Sequence, residues 1–396
     1  QWHLKEINVS NNPIQTKNIL SLTIEAGVIP YAEKGNQGNK AKEDYSQYKI
    51  ALPDTLVINS MNVIIGAVGI SQYFGCVSPV YYVFEPIEGT DLRYIYYLFT
   101  NTGFQKEMRK YAKGILEIRL RISSNDMLKR IVPSPPFKEQ QRIADYLDKM
   151  CAEIDAVLEK TRASIEEYKK LKQAVITQAV TKGIRGDRPM KDSGSVWFEE
   201  IPCNWVMKRI KYLFHIKKDI AGKEGYTVLS ITQSGIKPKD LSKNEGQLAD
   251  NYSHYQLLNP GDFAMNHMDL LTGWVDISKY SGVTSPDYRV FVLDDTEKND
   301  SSYYLYLMQM CYFNRIFYGL GQGVSGMGRW RLQADKFLNF PVVVPPVDEQ
   351  KEIASYLNEK CSCIEVMIAK KQQYLTEIEN YKKSLIYEYV TGKREV

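Results

Sequence analysis

The sequence predicts an α+β protein: two related mixed α/β domains, connected by an approximate two-fold and separated by two long antiparallel coiled-coil-like helices. Three observations carry this. The chain repeats itself along its length. Each copy ends in a long apolar stripe at helical spacing. Each copy begins with short β-type runs punctuated by turn residues.

The repeat comes first, because an internal duplication fixes the architecture. Residues 135–182 align with 345–392 without a gap at an offset of 210, and 16 of the 48 positions are identical. The clearest stretch is Pro135-Pro136-Phe137-Lys138-Glu139-Gln140-Gln141-Arg142-Ile143-Ala144-Asp145-Tyr146-Leu147. Its partner is Pro345-Pro346-Val347-Asp348-Glu349-Gln350-Lys351-Glu352-Ile353-Ala354-Ser355-Tyr356-Leu357. Upstream, residues 54–84 align with 261–291 at an offset of 207, with 13 of 31 positions identical. Asn59/Asn266, Met61/Met268, Gly66/Gly273, Ser78/Ser285, Pro79/Pro286 and Tyr81/Tyr288 are among them. Tyr96-Tyr97-Leu98 also recurs as Tyr303-Tyr304-Leu305. Between these anchors the loops diverge, as expected of one scaffold serving two ligands or of drift in a duplicated domain.

The order is therefore domain (1–134), helix (135–183), linker (184–200), domain (201–344), helix (345–396). In the first domain Leu56-Val57-Ile58, Val63-Ile64-Ile65 and Val80-Tyr81-Tyr82-Val83-Phe84 read as strands. Val228-Leu229-Ser230-Ile231 and Arg289-Val290-Phe291-Val292 read likewise in the second. They are rich in β-branched and aromatic residues between Gly, Pro and Asn. A helix over 91–112 carries Leu92, Ile95, Tyr96, Phe99 and Met108, and its counterpart begins near 301.

The long helices follow from spacing. Ile143, Leu147, Met150, Ile154, Val157, Ile165, Tyr168, Leu171 and Val175 recur at intervals suited to one helix face. Ile353, Leu357, Ile364, Met367, Leu375, Ile378 and Leu385 repeat the pattern. Pro135-Pro136 precede the first helix and Gly183 ends it. At about 45 residues each helix spans roughly 68 Å. A stripe this long needs a partner. We expect the helices to pair with each other through Ile143, Leu147, Ile154, Ile165, Tyr168, Ile353, Leu357, Ile364, Leu375 and Ile378. The alternatives are packing on each helix's own domain, or a seam between two copies of the chain.

Composition bounds the function. Lys and Arg total 51 against 47 Asp and Glu, a mild excess that permits nucleic-acid binding without demanding it. Six cysteines form no C-x-x-C pair, and the four histidines are scattered, which argues against structural zinc and for a reduced, cytoplasmic protein. No apolar run is long enough for a membrane span, and no signal peptide is read at Gln1-Trp2-His3-Leu4. No cofactor site is expected. Ser134-Pro135-Pro136-Phe137 lacks the Asn or Asp of an amino-methyltransferase motif, and there is no phosphate-binding loop. Phe317-Tyr318-Gly319-Leu320-Gly321 is only a faint echo of a glycine loop for S-adenosylmethionine. His267 near Asp269 is a possible acid–base pair, but the equivalent positions Ser60 and Asn62 do not repeat it.

Polar and basic loops are the candidate nucleic-acid surface. In the first domain these are Lys34, Asn36, Gln37, Lys40, Asn59, Ser60, Arg119 and Arg121. In the second they are Lys217, Lys218, Lys223, Gln233, Asn266, His267, Gln322, Arg329 and Arg331. Such side chains reach base edges or neutralise phosphate. Arg119/Arg329 and Arg121/Arg331 are equivalent across the repeat.

The twofold P-P-x-x-E-Q-x-x-I-A-x-Y-L pattern, each copy leading a long helix behind a domain of about 140 residues, resembles the specificity subunit of type I restriction–modification systems. The resemblance covers almost the whole chain. It implies two target-recognition domains reading a bipartite double-stranded DNA target, and helices that set the spacer. It also implies that the helices dock two DNA methyltransferase subunits, with restriction subunits joining through those, and that the chain has no catalytic role. Val196–Pro202 has no counterpart before Trp2, which suggests a trimmed N-terminus. The competing readings are an enzyme with an unrecognised site, a coiled-coil adaptor binding protein alone, and the DNA-binding subunit of a methylation-only complex.

Overall fold

The computed structural model of the chain describes residues 3–24, 26–35, 44–61, 67–113, 120–240, 251–324 and 329–396. It divides into two compact units. One comprises residues 1–163 with 371–396, and the other comprises 164–370. Each unit joins one mixed α/β domain to the opposite ends of the two long helices.

In the first unit, a four-stranded antiparallel sheet has the spatial order Leu4–Ile7, Tyr81–Pro86, Thr55–Asn59, Val68–Ser71. The pattern Thr55-Leu-Val-Ile-Asn59 is buried throughout, so this strand is covered on both faces. On one side Leu56, Ile58 and Phe84 pack against the helix Leu92–Thr100. On the other, Val57 and Val83 meet the hairpin Leu20–Thr23/Gly27–Pro30. The helix expected over 91–112 is two helices, Leu92–Thr100 and Thr102–Arg109. Asn101 separates them: its extended backbone ends the first, and its side chain accepts from the amides of Gly103 and Phe104 to start the second.

The second unit repeats this plan. Its sheet has the order Phe214–Lys217, Arg289–Leu293, Phe263–Met265, Val275–Ile277. Phe214, Phe263 and Phe291 form a ring cluster within 5.4 Å of one another, backed by Tyr304. The covering helix is Ser301–Phe313. Residues expected to form a linker include a short strand, Met190–Asp192, paired with Glu200–Pro202. Gly75 and its equivalent Gly282 are required by close approach. A Cβ would lie 2.6 Å from the Asn18 carbonyl in one and 2.3 Å from the Thr227 carbonyl in the other. Val63, Ile64 and Ile65 lie outside the described residues.

The long helices are Phe137–Lys182 and Val347–Val390. In the first unit their segments run antiparallel: the Tyr146 ring packs at a tilt against Tyr389, Lys382 pairs with Asp155, and Arg162 with Glu379. In the second, Lys172 pairs with Glu365 and Arg185 with Glu352 in the same sense. The apolar stripe serves two partners at once. Ile143, Leu147 and Ile154 share a core with Tyr94, Leu98, Leu385 and Val390, with Leu375 and Ile378 packed against it. Ile353 and Leu357 share one with Ile176, Val180, Tyr303 and Leu307. Ile165 and Ile364 are buried and Tyr168 is half-buried. Val157, Leu171 and Met367, expected on the buried stripe, are exposed. Cys151, Leu158 and Cys361 are buried instead.

The duplicated motif has a mechanical reading. Gln140 is buried at the start of the first long helix. It accepts from the Asp91 amide at 3.0 Å and donates to the Pro135 carbonyl at 2.9 Å. Gln350 does the same with Asp300 (2.8 Å) and Pro345 (2.9 Å). Both Asp91 and Asp300 cap the helix that covers the sheet. Each Gln therefore ties a long helix to its own domain. A tyrosine ties in the other long helix: Tyr94 donates to Pro133 and Val390, and Tyr303 to Val343 and Val180, all at 3.1–3.2 Å. Tyr97 reaches Asp148 and Tyr306 reaches Asn358. By role, then, Tyr94 and Tyr97 correspond to Tyr303 and Tyr306. The alignment of Tyr96-Tyr97-Leu98 with Tyr303-Tyr304-Leu305 is out of register, because a two-residue difference in the preceding turn was hidden by chance identity.

Candidate functional site

In each domain, the turn after the central strand meets the segment entering a short helix near the end of the domain. In the first domain Asn59 and Ser60 are buried. The Asn59 carbonyl oxygen of the side chain accepts from the Met61 amide, and the Ser60 carbonyl accepts from the Ile122 amide. In the second, Asn266 accepts from the amides of Met268 and Asp269, and the His267 carbonyl accepts from the Leu332 amide. Asn59 and Asn266 thus shape the turn. Asp269 is committed to the amides of Leu271 and Thr272, so it is a turn cap rather than the acid partner of His267. Its carboxyl sits below the usual range: burial raises it, and the bonds from Thr272, Leu271 and Gly273 outweigh that.

These turns bring together several sequence candidates. Arg121 is exposed, and its Nε lies 3.5 Å from the Ser60 hydroxyl. Arg331 is exposed on the strand Arg329–Arg331, which pairs with Gln322–Val324 so that Gln322 faces Arg331. The Arg331 charge acts on His267. His267 is half-buried, and its Nδ1 is buried without a hydrogen-bond partner. Burial first, then the charges of Arg289 and Arg331, push the imidazole down to about 4, so it is neutral at ordinary pH.

Two residues here escaped the sequence reading, Tyr82 and Arg289. They are equivalent and hold equivalent carbonyls: the Tyr82 hydroxyl donates to Ile122 at 3.1 Å, and Arg289 Nη2 donates to Leu332 at 2.8 Å. The available signal was a Tyr-to-Arg exchange inside an otherwise apolar, well-matched strand.

Other candidates are placed elsewhere. Lys34 lies over the Tyr31 ring at 5.2 Å. Lys217 is half-buried and paired with Asp262 at 2.7 Å, so its charge is already met. Lys218 and Lys223 are exposed, with Lys223 over Tyr226 at 5.7 Å. Gln233 is exposed at a hairpin tip and donates to the Thr272 carbonyl. Asn36, Gln37, Lys40 and Arg119 lie outside the described residues, as does the side chain of Arg329. Beside Asn266 opens a cleft of about 750 Å³ lined by Ser230, Thr232, Lys237, Tyr255, Asp269 and Tyr288. Among the described residues no group of three or more His, Cys, Asp or Glu is arranged to hold a metal, and no helix is long and apolar enough to cross a membrane.

Two copies of one α/β scaffold, each clamped within its own unit to segments of both long helices, define a duplicated-domain architecture. The family model for the type I restriction modification DNA specificity domain matches residues 3–167 and 202–377, and the chain belongs to that family. It is 26% identical over 321 residues to the type I restriction enzyme MjaVIII specificity subunit of Methanocaldococcus jannaschii, spanning 77% of this chain and 71% of the relative. Its fold is similar to a chain solved in a structural study of complex assembly and conformational transition of the type I R-M system. The TM-score there is 0.69 at 12% identity, with 98% of this chain and 95% of the other covered. The HsdS subunit from Thermoanaerobacter tengcongensis aligns over 98% of this chain and 94% of its own at 12% identity, with a TM-score of 0.48.

Proposed function

We propose that this chain, itself noncatalytic, reads a bipartite double-stranded DNA target. Residues 1–134 would take one half-site and 201–344 the other, and the helical segments 135–183 and 345–396 would set the spacer, with 184–200 as the connection. The helices would dock two methyltransferase subunits, and restriction subunits through them, in the cytoplasm. Two copies of one domain scaffold suit two half-sites on a duplex. The observation that carries this reading is the contrast between what repeats and what does not. The Gln and Tyr clamps are repeated bond for bond, whereas Ser60/His267 and Tyr82/Arg289 differ beside equivalent arginines. A fixed scaffold with a changed surface suits two readers of different sequence.

The test is adenine-methylation mapping of DNA from cells carrying this chain with its neighbouring methyltransferase, against cells lacking the chain. A split motif present only with the chain supports the reading. No difference, with the methyltransferase active and bound, favours a protein-only adaptor. Within the complex, Arg121→Ala and Arg331→Ala should each weaken DNA binding roughly tenfold and reduce its salt dependence by about one phosphate contact. Unchanged binding in both would remove these arginines from the interface.

A further inference from the structure

Arg289 is 6% exposed, yet no carboxylate pairs with it among the described residues. Its contacts are the Leu332 carbonyl, the Met265 sulfur at 3.8 Å and the face of Phe337 at 5.0 Å. Buried arginines ordinarily have an acidic partner, because desolvating an unpaired charge is costly. The hydrogen-bonding task does not call for this charge, since Tyr82 holds the equivalent carbonyl with a neutral hydroxyl. Next to it lie the exposed Arg331 and the half-buried His267, whose Nδ1 has no partner. The corresponding place in the first domain holds Ser60, Tyr82 and Arg121. The nearby lysine there, Lys49, lies 3.8 Å from Glu6. The neutral Tyr82 of the first domain is thus replaced in the second by the buried charge of Arg289, beside the exposed Arg331 that matches Arg121.

We infer that the second domain carries an anion seat that the first lacks, in which the exposed Arg331 receives a DNA backbone phosphate while buried Arg289 supplies balancing charge from beneath. The inference rests on the DNA-reading function proposed above. It makes the two half-sites unequal: the second supplies the larger electrostatic share of binding, and the first depends more on contacts insensitive to salt.

The experiment uses the full chain assembled with its methyltransferase and a duplex carrying the motif found by methylation mapping, titrated across salt concentrations. Arg289→Tyr installs the residue the first domain already uses, so the fold is kept; an unchanged thermal midpoint verifies this. It should weaken binding roughly tenfold and flatten the salt dependence by about one phosphate. Arg289→Lys, which keeps the charge, should retain the wild-type slope. If Arg289→Tyr binds as wild type does, the seat is refuted while DNA reading stands. If Arg289→Lys falls as far as Arg289→Tyr, the residue acts through shape rather than charge, and the inference fails. Inorganic phosphate is the second probe. Should it raise the thermal midpoint of wild type but not of Arg289→Tyr, with equal DNA affinity in both, the seat would belong to free phosphate and the DNA assignment would be overturned. A wild-type complex that does not bind the duplex would bring down the function and the inference together.

Discussion

Glu139 and Glu349 occupy the same position of the repeat, the third residue of each long helix, and live in opposite surroundings. Glu349 is buried. It accepts from Trp205 Nε1 at 3.0 Å and from Asn204, and pairs with Arg188, which also lies over the Trp205 ring. Burial alone would raise its carboxyl, but bonds from Trp205 and Arg188, with the arginine's charge, hold it below the usual range. Glu139 is instead a partly exposed carboxylate in an i,i+3 pair with Arg142. The difference teaches that an identical residue in a duplicated motif need not do an identical job. Gln140 and Gln350, one residue on, do keep the same job.

The largest expected effect tests that contrast directly. Glu349→Ala leaves Arg188 and Trp205 without their acceptor and should cost about 3–5 kcal/mol, as breaking a buried pair does. Glu139→Ala should cost less than about 0.5 kcal/mol. Thermal unfolding of the two variants side by side is the measurement, and equal losses would erase the distinction. Next, Gln140→Ala and Gln350→Ala should each cost about 1–3 kcal/mol, and by similar amounts, since each strands a buried amide and a carbonyl. A loss in one variant only would mean the two clamps are not equivalent.

The smallest effect concerns pH. His267 is held neutral in the fold down to about 4, while in the unfolded chain it titrates near 6.5. Between those values the unfolded state binds the extra proton, so stability falls as pH drops from about 6.5 to about 4 and levels off below that. Allowing for partial exposure, the loss attributable to this group is about 1–2 kcal/mol. His267→Ser, which installs the residue found at position 60, should remove that part of the pH dependence. A variant whose stability tracks wild type across the window would show that the ring is not desolvated as described.

Much of the fold was legible because the duplication and the proline-to-glycine helical runs are written at long range, where single substitutions do little harm. The partner of each helix face was less legible. Apolar spacing reports burial, not what does the burying. The same stripe residues Ile143 and Leu147 contact both the other long helix and the domain helix at Leu98. Val157 and Leu171 fit the period but emerge from the core, because a straight helix rotates away from a fixed stripe over this length. In the candidate site, the equivalent arginines Arg121 and Arg331 could be picked out by type and position. Arg289 could not, since a strand residue among Val and Phe reads as core, and only its tertiary neighbours show an unbalanced charge.

One unit draws its substance from both ends of the chain: residues 371–396 complete the core begun by residues before 163. On a ribosome this imposes a schedule. The domain made first holds Leu147 and Tyr94 without Leu385 and Val390 until more than two hundred further residues have been added, a wait of roughly 10–40 s at about 5–20 residues per second. The second unit, contiguous from 164 to 370, faces no such delay. Synthesis order and folding order are therefore reversed: the domain born second is the first able to close, and the nascent N-terminal half is left meanwhile with an unsealed apolar face.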